Sequence, residues 1–187
     1  YPDLDIKLST DESIFIKESR DDVLKSLVEG ALLAGLVVLL SFGDFRNTLI
    51  TIAGLPVCVI GTYAVMAALG FTINIITLLA LSLSIGLLID DAIVVRENIF
   101  RHMEKLGKRP MQAASEGTSE VGLAVLATTL TLVSVFLPVA FATGIAGKFF
   151  KQFGITIAAA VLISLFEAFT FAPMLSAHFF KEARTNG

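Results

Sequence analysis

The sequence predicts an all-α membrane protein: a bundle of five transmembrane helices with one cytoplasmic amphipathic helix. Hydrophobic residues make up 55% of the 187 positions, and the mean hydropathy is +0.82. Only 17% of the residues are charged, compared with about 25% in a soluble domain, and they are concentrated at the start, in one central stretch and at the end. Long apolar runs between such stretches are typical of helices that cross a bilayer, where no water is present to bind open backbone groups.

Five stretches are long and apolar enough for a spanning helix of about 20 residues. They cover residues 27–44, 48–69, 72–96, 121–142 and 154–179. Pro56 and Pro138 lie inside two of them and are expected to kink the helices. Short turns are expected at Gly43–Asn47, Gly70 and Gly144–Gly147, so neighbouring helices should run antiparallel. Four hydroxyl residues near the second proline are expected to bind the carbonyls freed there or to act as polar packing contacts: Thr128, Thr129, Thr131 and Ser134.

Three polar segments flank or interrupt these spans. Residues 1–26 contain a candidate strand at 1–8 and a polar helical lead-in, and we expect them to end an extracytoplasmic domain. Residues 97–120 interleave charged and apolar side chains, which predicts an amphipathic helix along a membrane face, broken at Gly107–Pro110. Residues 181–187 form a polar tail.

The basic residues predict the orientation of the chain. One side of the membrane collects Arg46, Arg96, Arg101, Lys105, Lys108, Arg109, Lys181 and Arg184. The short loops of the other side carry only Lys148 and Lys151. Because lysine and arginine accumulate in cytoplasmic loops, the first side should be cytoplasmic and residues 1–26 should lie outside.

Several classes of protein are disfavoured. The single cysteine, Cys58, lies in an apolar run, cannot form an internal disulfide and is expected to be a small packed residue. No zinc-type cluster is present, and the small net charge of -3 is spread over several flanks. This charge argues neither for nor against a nucleic-acid partner. For a membrane protein of the predicted class we expect no enzyme activity, no metal, no bound cofactor and no nucleic-acid partner.

The third span carries two adjacent aspartates, Asp90 and Asp91, within an apolar stretch. An ionised carboxylate in hydrocarbon is costly, so intramembrane acids usually face a bundle interior or a wet path and carry ions or protons. The charge on one aspartate opposes ionisation of the other, and the two are expected to titrate as a coupled pair. This pair is the candidate functional site, for the transfer of ions or protons.

The same span carries two lines of polar or small residues. One line, with a spacing of seven, consists of Thr77, Ser84, Asp91 and Asn98. The other lies about 100° round the helix and consists of Gly86, Asp90 and Glu97. A lipid-facing helix would not carry such lines, so this helix should be central, with Thr77, Ser84 and Asn98 as candidate accessory residues.

Two alternatives remain for the acids. Asp90 and Asp91 precede Arg96 by so few residues that they would be able to reach a headgroup region, although apolar residues intervene. Glu167, deep in the last span, is either a structural acid that is protonated and hydrogen-bonded or a further functional site.

The sequence of residues 86–99, GLLIDDAIVVRENI, resembles that of the fourth transmembrane helix of resistance-nodulation-division (RND) efflux pumps of the hydrophobe/amphiphile, AcrB-like branch. Further landmarks of the same branch follow in the same order along the chain: DFRNTLI at 44–50, GFTIN at 70–74, FLPVAF at 136–141, GIAG at 144–147, QFGITI at 152–157 and APML at 172–175. The resemblance covers essentially the whole chain and identifies it with helices two to six of the first repeat.

This resemblance implies a protein with two six-helix repeats and large extracytoplasmic porter domains in the bacterial inner membrane. Such pumps are homotrimers that work with a periplasmic adaptor and an outer-membrane channel, and they exchange protons for drugs or other amphiphiles. The paired acids of the family correspond to Asp90 and Asp91, and their lysine partner lies in the second repeat. The isolated segment is expected to have no activity of its own.

The sequence departs from the pattern of the branch at Arg96 and Glu167, where apolar or small residues are common. Two other functions are alternatives: a metal-ion or lipid exporter of the same superfamily, and a membrane sensor or scaffold that transports nothing. Metal exporters of the superfamily carry methionine relays, whereas the four methionines here do not line one helix face.

Overall fold

The computed structural model describes residues 12–42 and 45–179, and these residues form an all-helical bundle. In chain order the helices are α1 (Glu12–Phe42), α2 (Phe45–Ala68), α3 (Ile75–Glu104), α4 (Pro110–Phe136), α5 (Gly144–Phe169) and α6 (Phe171–Phe179), with a short 3₁₀ helix at Pro138–Phe141. The prediction of an all-α fold is confirmed. The candidate strand at 1–8, the tail at 181–187 and the start of the turn at Gly43–Asn47 lie outside the described residues.

Helix α3 is the centre of the bundle, as the polar lines along it predicted. It contacts each of the other five α-helices that the structure describes. Leu78, Leu81, Leu88, Val95 and Ile99 are almost completely buried along its length. Burying large aliphatic side chains along one broad face of a helix is strongly favourable, at about 1.5–3 kcal/mol for each side chain, so the other helices pack against that face of α3.

Three described helical segments are long and apolar enough to cross a membrane. They are Ile75–Glu104, Pro110–Phe141 and Gly144–His178, with peak hydropathies of 2.2, 2.2 and 2.1. Helix α2 contains a shorter apolar stretch, Ile52–Ala68. The segment is therefore an all-α, multi-pass membrane segment.

The third span, predicted to end at residue 96, lies within a longer helix. Helix α3 continues without interruption to Glu104, and α4 begins at Pro110, so residues 97–120 form the two arms of a helical hairpin and not a separate amphipathic helix. The turn is where the sequence predicted it: Gly107 has a φ of +63°, a backbone conformation that glycine adopts readily. Proline at the first position of α4 needs no hydrogen bond for its missing N–H.

Prolines set the ends of the last two spans. Helix α4 stops at Phe136, and Pro138 opens the 3₁₀ helix. The span predicted at 154–179 is divided between α5 and α6 at Thr170, because Pro173 lacks an N–H and its ring crowds the carbonyl of Phe169. Helix α2 by contrast continues past Pro56. The turn expected across Gly144–Gly147 is shorter, since α5 already begins at Gly144.

Candidate functional site

Asp91 lies in the interior of the bundle, between α3 and α4. Asp91 is 8% exposed, and the hydroxyl of Thr129 on α4 donates a hydrogen bond to Asp91 Oδ2 at 3.0 Å. Thr129 is completely buried, and its Oγ1 also lies 2.9 Å from the carbonyl oxygen of Val125, one turn earlier on α4. A hydroxyl has one proton, so it can donate to only one of these two oxygens at a time. The protonation state of the carboxyl group can therefore select the partner of the hydroxyl.

Asp90 lies on a different face of α3, because successive helical residues are about 100° apart. It is exposed on the surface of the described bundle, and within residues 12–42 and 45–179 it has neither an ion pair nor a hydrogen bond. Gly86 and Glu97 are exposed on the same side, and a Cβ atom added to Gly86 would meet nothing within 4 Å. The two acids are adjacent in sequence but differ in their surroundings.

The other members of the first polar line are all buried, as expected for a line that faces other helices. Thr77 belongs to the capping box of α3, in which its Oγ1 accepts from the backbone N–H of Asn74 at 3.0 Å. Ser84 donates to the carbonyl of Ala80 at 2.6 Å. Thr77 and Ser84 thus bond locally, while Asn98 bonds to α4.

Asn98 provides a second polar contact between α3 and α4, seven residues beyond Asp91. Its Nδ2 donates to the carbonyl of Gly117 at 2.7 Å. Gly117 permits this close approach, since an added Cβ atom would lie 3.0 Å from the Cα of Ile99. The helices are thus joined by polar contacts at two levels, with the apolar residues Val95 and Val125 buried between them.

A cluster of charged residues closes the α3–α4 hairpin. Glu120 accepts from Arg101 Nη2 at 2.7 Å, and its other oxygen lies 2.6 Å from Nε2 of the buried His102. Lys108 contacts Glu116 and lies 3.2 Å from Nδ1 of His102. These pairs tie the two arms of the hairpin together, which explains how so many charges fit at the ends of two apolar helices.

Arg96 and Glu167 form a buried ion pair between α3 and α5. Arg96 Nη2 donates to Glu167 Oε1 at 2.6 Å, and the two residues are 2% and 1% exposed. Arg96, which was expected among the charged residues of the cytoplasmic flank, is therefore buried between two helices. The cause is the length of α3: eight further helical residues follow Arg96 and place it inside the bundle.

Gly54 and Cys58 of α2 cover this ion pair. A Cβ atom added to Gly54 would overlap Glu167 Oε1 and lie 2.9 Å from Glu167 Cδ and 3.0 Å from Arg96 Nη2. Cys58 is 1% exposed, in agreement with its prediction as a packed residue. Sequence reasoning missed the pair, although Arg96 and Glu167 were noted as two departures of opposite charge.

Among the residues that the structure describes, no three His, Cys, Asp or Glu side chains are grouped to hold a metal ion. The chemistry available at the α3–α4 contact is that of a buried carboxyl group, a hydroxyl group and a backbone carbonyl. Such groups exchange and redirect protons.

Comparison with known proteins gives a consistent result. Residues 2–187 match the AcrB/AcrD/AcrF family. The chain is 43% identical over 178 residues, or 95% of its length, to "Multidrug resistance protein MdtC" of Pantoea ananatis, and 40% identical over 181 residues, or 97%, to the protein of that name from Escherichia coli. An "Uncharacterized transporter" of Haemophilus influenzae is 43% identical over 171 residues, 91% of the chain.

The chain spans 17%, 18% and 16% of the lengths of these three relatives. Because the match to the family covers nearly every residue, including both aspartates and the buried ion pair, the chain belongs to the AcrB/AcrD/AcrF family of RND transporters.

Proposed function

We propose that this segment supplies part of the proton-translocating membrane domain of a multidrug efflux transporter, a drug/proton antiporter in which Asp90 and Asp91 carry the protons. Two relatives are named as multidrug resistance proteins, which supports drugs or other amphiphilic compounds as the exported class. The observation that carries the proposal is the buried contact of Asp91 with Thr129. Protons are the coupling ion, and no cofactor is needed.

The contact between α3 and α4 provides a mechanism. When Asp91 is ionised, Thr129 donates to Asp91 and leaves the carbonyl of Val125. When Asp91 is protonated, it donates to Thr129 Oγ1 and the hydroxyl donates to Val125. Proton uptake thus replaces a charge-assisted hydrogen bond between the helices with a weaker neutral one. A change of this kind shifts the population between two packings of α3 against α4.

Asp90 has a complementary task in this proposal. It lies with Gly86 on the open face of α3, where a second helix would be able to approach closely. We infer that a cationic side chain from another part of the transporter, the second-repeat lysine of RND pumps, faces it there. Neutralising Asp90 would weaken that ion pair, so proton uptake would act on both faces of α3.

The proposed setting follows from the same argument. The charged hairpin turn with Arg101, Lys105 and Lys108 faces the cytoplasm, and Lys148 and Lys151 lie on the opposite side. The transporter is then a homotrimer of the bacterial inner membrane with porter domains outside, working with a periplasmic adaptor and an outer-membrane channel.

The test uses the intact transporter reconstituted in proteoliposomes, with drug-dependent proton flux as the readout. We expect Asp91→Asn and Asp90→Asn each to abolish coupled flux while the trimer still assembles. Glu104→Gln, an exposed acid at the end of the same helix, is the matched control and should leave flux unchanged. Coupled transport in both aspartate variants would refute the proposal.

A further inference from the structure

The hairpin between α3 and α4 contains a buried histidine, His102, which the proposed proton site does not use. His102 lies in the last turn of α3 and is 4% exposed, although charged side chains surround it. The connection from α3 to α4 is closed by a bond from the backbone N–H of Lys108 to the carbonyl of His102 at 3.2 Å. The histidine therefore lies at the point where the two arms of the hairpin are tied together.

Both ring nitrogens of His102 have a charged neighbour. Nε2 lies 2.6 Å from Glu120 Oε2, and Nδ1 lies 3.2 Å from Nζ of Lys108. An ammonium group has three protons to donate and no lone pair with which to accept. Nδ1 must therefore accept from Lys108, so the proton of the ring is on Nε2 and is donated to Glu120. These contacts fit one state of the imidazole, the neutral ring with its proton on Nε2.

The charges in contact with this ring balance only while the ring is neutral. Arg101 on α3 is paired with Glu120 on α4, and Lys108 in the turn is paired with Glu116 on α4. Two cations thus face two anions. A protonated His102 would add a third positive charge next to Lys108, and within residues 12–42 and 45–179 no further anion contacts the ring.

The other neighbours of the ring offer no compensation. The remaining charged side chains at the turn are exposed to solvent: Glu104, Lys105 and Arg109. Helix α6 contributes the apolar residues Ala172 and Leu175 to the core beside the hairpin. The response of His102 to a proton is therefore determined by its contacts with Glu120 and Lys108.

Protonation would turn the contact with Lys108 from attraction into repulsion. Imidazole groups change charge between about pH 5 and 8, and the new proton on Nδ1 would point at an ammonium group 3.2 Å away. Lys108 is the partner that can move, because its side chain is flexible and 24% exposed, whereas the ring is buried. Moving Lys108 outward strains the backbone bond that closes the turn.

We propose that His102 is a pH-sensitive switch of the α3–α4 hairpin: the neutral ring binds Lys108 and holds the turn closed, and the protonated ring expels Lys108 and opens the turn. The switch depends on contacts within the hairpin and does not require Asp90 or Asp91 to carry protons. In the orientation proposed above, the hairpin faces the cytoplasm, and the switch responds to cytoplasmic pH.

Amide hydrogen exchange of residues 105–109 in the intact transporter tests the switch, with rates corrected for the intrinsic pH dependence of exchange. In the parent protein we expect protection to fall at least about fivefold between about pH 7.5 and about pH 5.5, because the ring becomes protonated and the turn opens locally. His102→Gln keeps an N–H donor for Glu120 but takes up no proton, so its protection should not change with pH. Lys108→Met removes the cation that a protonated ring repels, and it should also abolish the response.

His178→Gln is the matched control. His178 is the other histidine of the chain, and its Nδ1 donates to the carbonyl of Met174 on its own helix at 3.0 Å. This variant should show the pH response of the parent, and loss of the response here would overturn the proposal.

Three further outcomes would also overturn the switch: a parent protein whose protection does not change with pH, a response that persists in His102→Gln, and a response that persists in Lys108→Met. A persistent response would assign the titration to other groups, such as Glu116 or Glu120. Lys108→Met alters a partly exposed side chain in the turn, so it gives a decision even if His102→Gln does not assemble. Because the readout is exchange and not transport, the result is independent of the outcome for Asp91→Asn.

Discussion

Helix α3 is held to α4 and to α5 by contacts of different kinds. On the α4 side, a neutral hydroxyl meets the carboxyl group of Asp91 at 3.0 Å and has a second acceptor within reach. On the α5 side, the opposite charges of Arg96 and Glu167 meet at 2.6 Å, and both residues are almost completely buried. The first contact can change with a single proton, and the second is held by the permanent charge of Arg96.

This difference indicates how a helix bundle can respond to protons without losing its packing. If every contact of α3 changed on protonation, the helix would loosen as a whole. With the buried ion pair fixed, we expect α3 and α5 to move together and the rearrangement to occur against α4 at the level of Asp91. Substitutions on the two sides of α3 should therefore differ in their effects.

The largest effect is expected from Gly54→Ala. The added methyl group would overlap Glu167 Oε1 and force the ion pair apart, at a cost of about 3 kcal/mol in the free energy of unfolding, from overpacking and from the charges separated. Thermal unfolding of the purified transporter measures it. The matched control is Gly122→Ala, whose methyl group would lie 3.7 Å from Phe169, an ordinary contact. An unchanged unfolding midpoint in Gly54→Ala would mean that the contact of α3 with α5 can rearrange as readily as its contact with α4.

The second effect concerns transport. Thr129→Val keeps the size of the side chain and removes the hydroxyl that Asp91 binds, so we expect coupled flux to fall about tenfold, in line with one hydrogen bond to a charged group of about 1.5 kcal/mol. Thr129→Ser should restore it. Thr131→Val is the control, because the Thr131 hydroxyl binds only its own helix, at the carbonyl of Ala127. Equal flux in all three variants would contradict the role assigned to the hydroxyl.

A smaller effect is expected at the second polar contact of α3 with α4. Asn98→Ala removes the bond to the carbonyl of Gly117 together with the contacts of the amide with Glu120 and Arg101, and we expect a loss of about 1–2 kcal/mol in stability. The pH profile of transport should not move, since the amide does not titrate. A displaced profile in this variant would show that proton response extends along the whole α3–α4 contact.

The sequence allowed most of the fold to be predicted, because apolar runs of about 20 residues and turn-forming glycines are local signals. The same kind of local signal predicted that the third span ends at residue 96. The hydropathy of the sequence falls in the stretch that contains Glu97, Arg101 and Glu104, yet helix α3 continues through it. Arg101 is paired with Glu120 across the hairpin, and pairing of that kind is invisible to a hydropathy window.

The site was predicted in part. The two aspartates stood out because acids are rare in apolar spans, and their assignment to proton transport stays a prediction. Their partners are remote in sequence: Thr129 is 38 positions from Asp91, and Glu167 is 71 positions from Arg96. Thr129 was grouped with residues expected to act near Pro138, and no local pattern separates it from them. Opposite charges at two unusual positions were the one available signal for the ion pair.

The smallest effect tests whether the α5 side is fixed by charge or by its sum of contacts. Ser164→Ala removes a neutral hydrogen bond to the carbonyl of Leu88, and such a carbonyl in a continuous helix retains its backbone partner. We expect a loss of about 0.5 kcal/mol or less, measured as a shift of the thermal unfolding midpoint. A loss as large as that of Gly54→Ala would show that Ser164 holds α5 to α3 as firmly as the ion pair does. The contrast between the two sides of α3 would then rest on packing and no longer on charge.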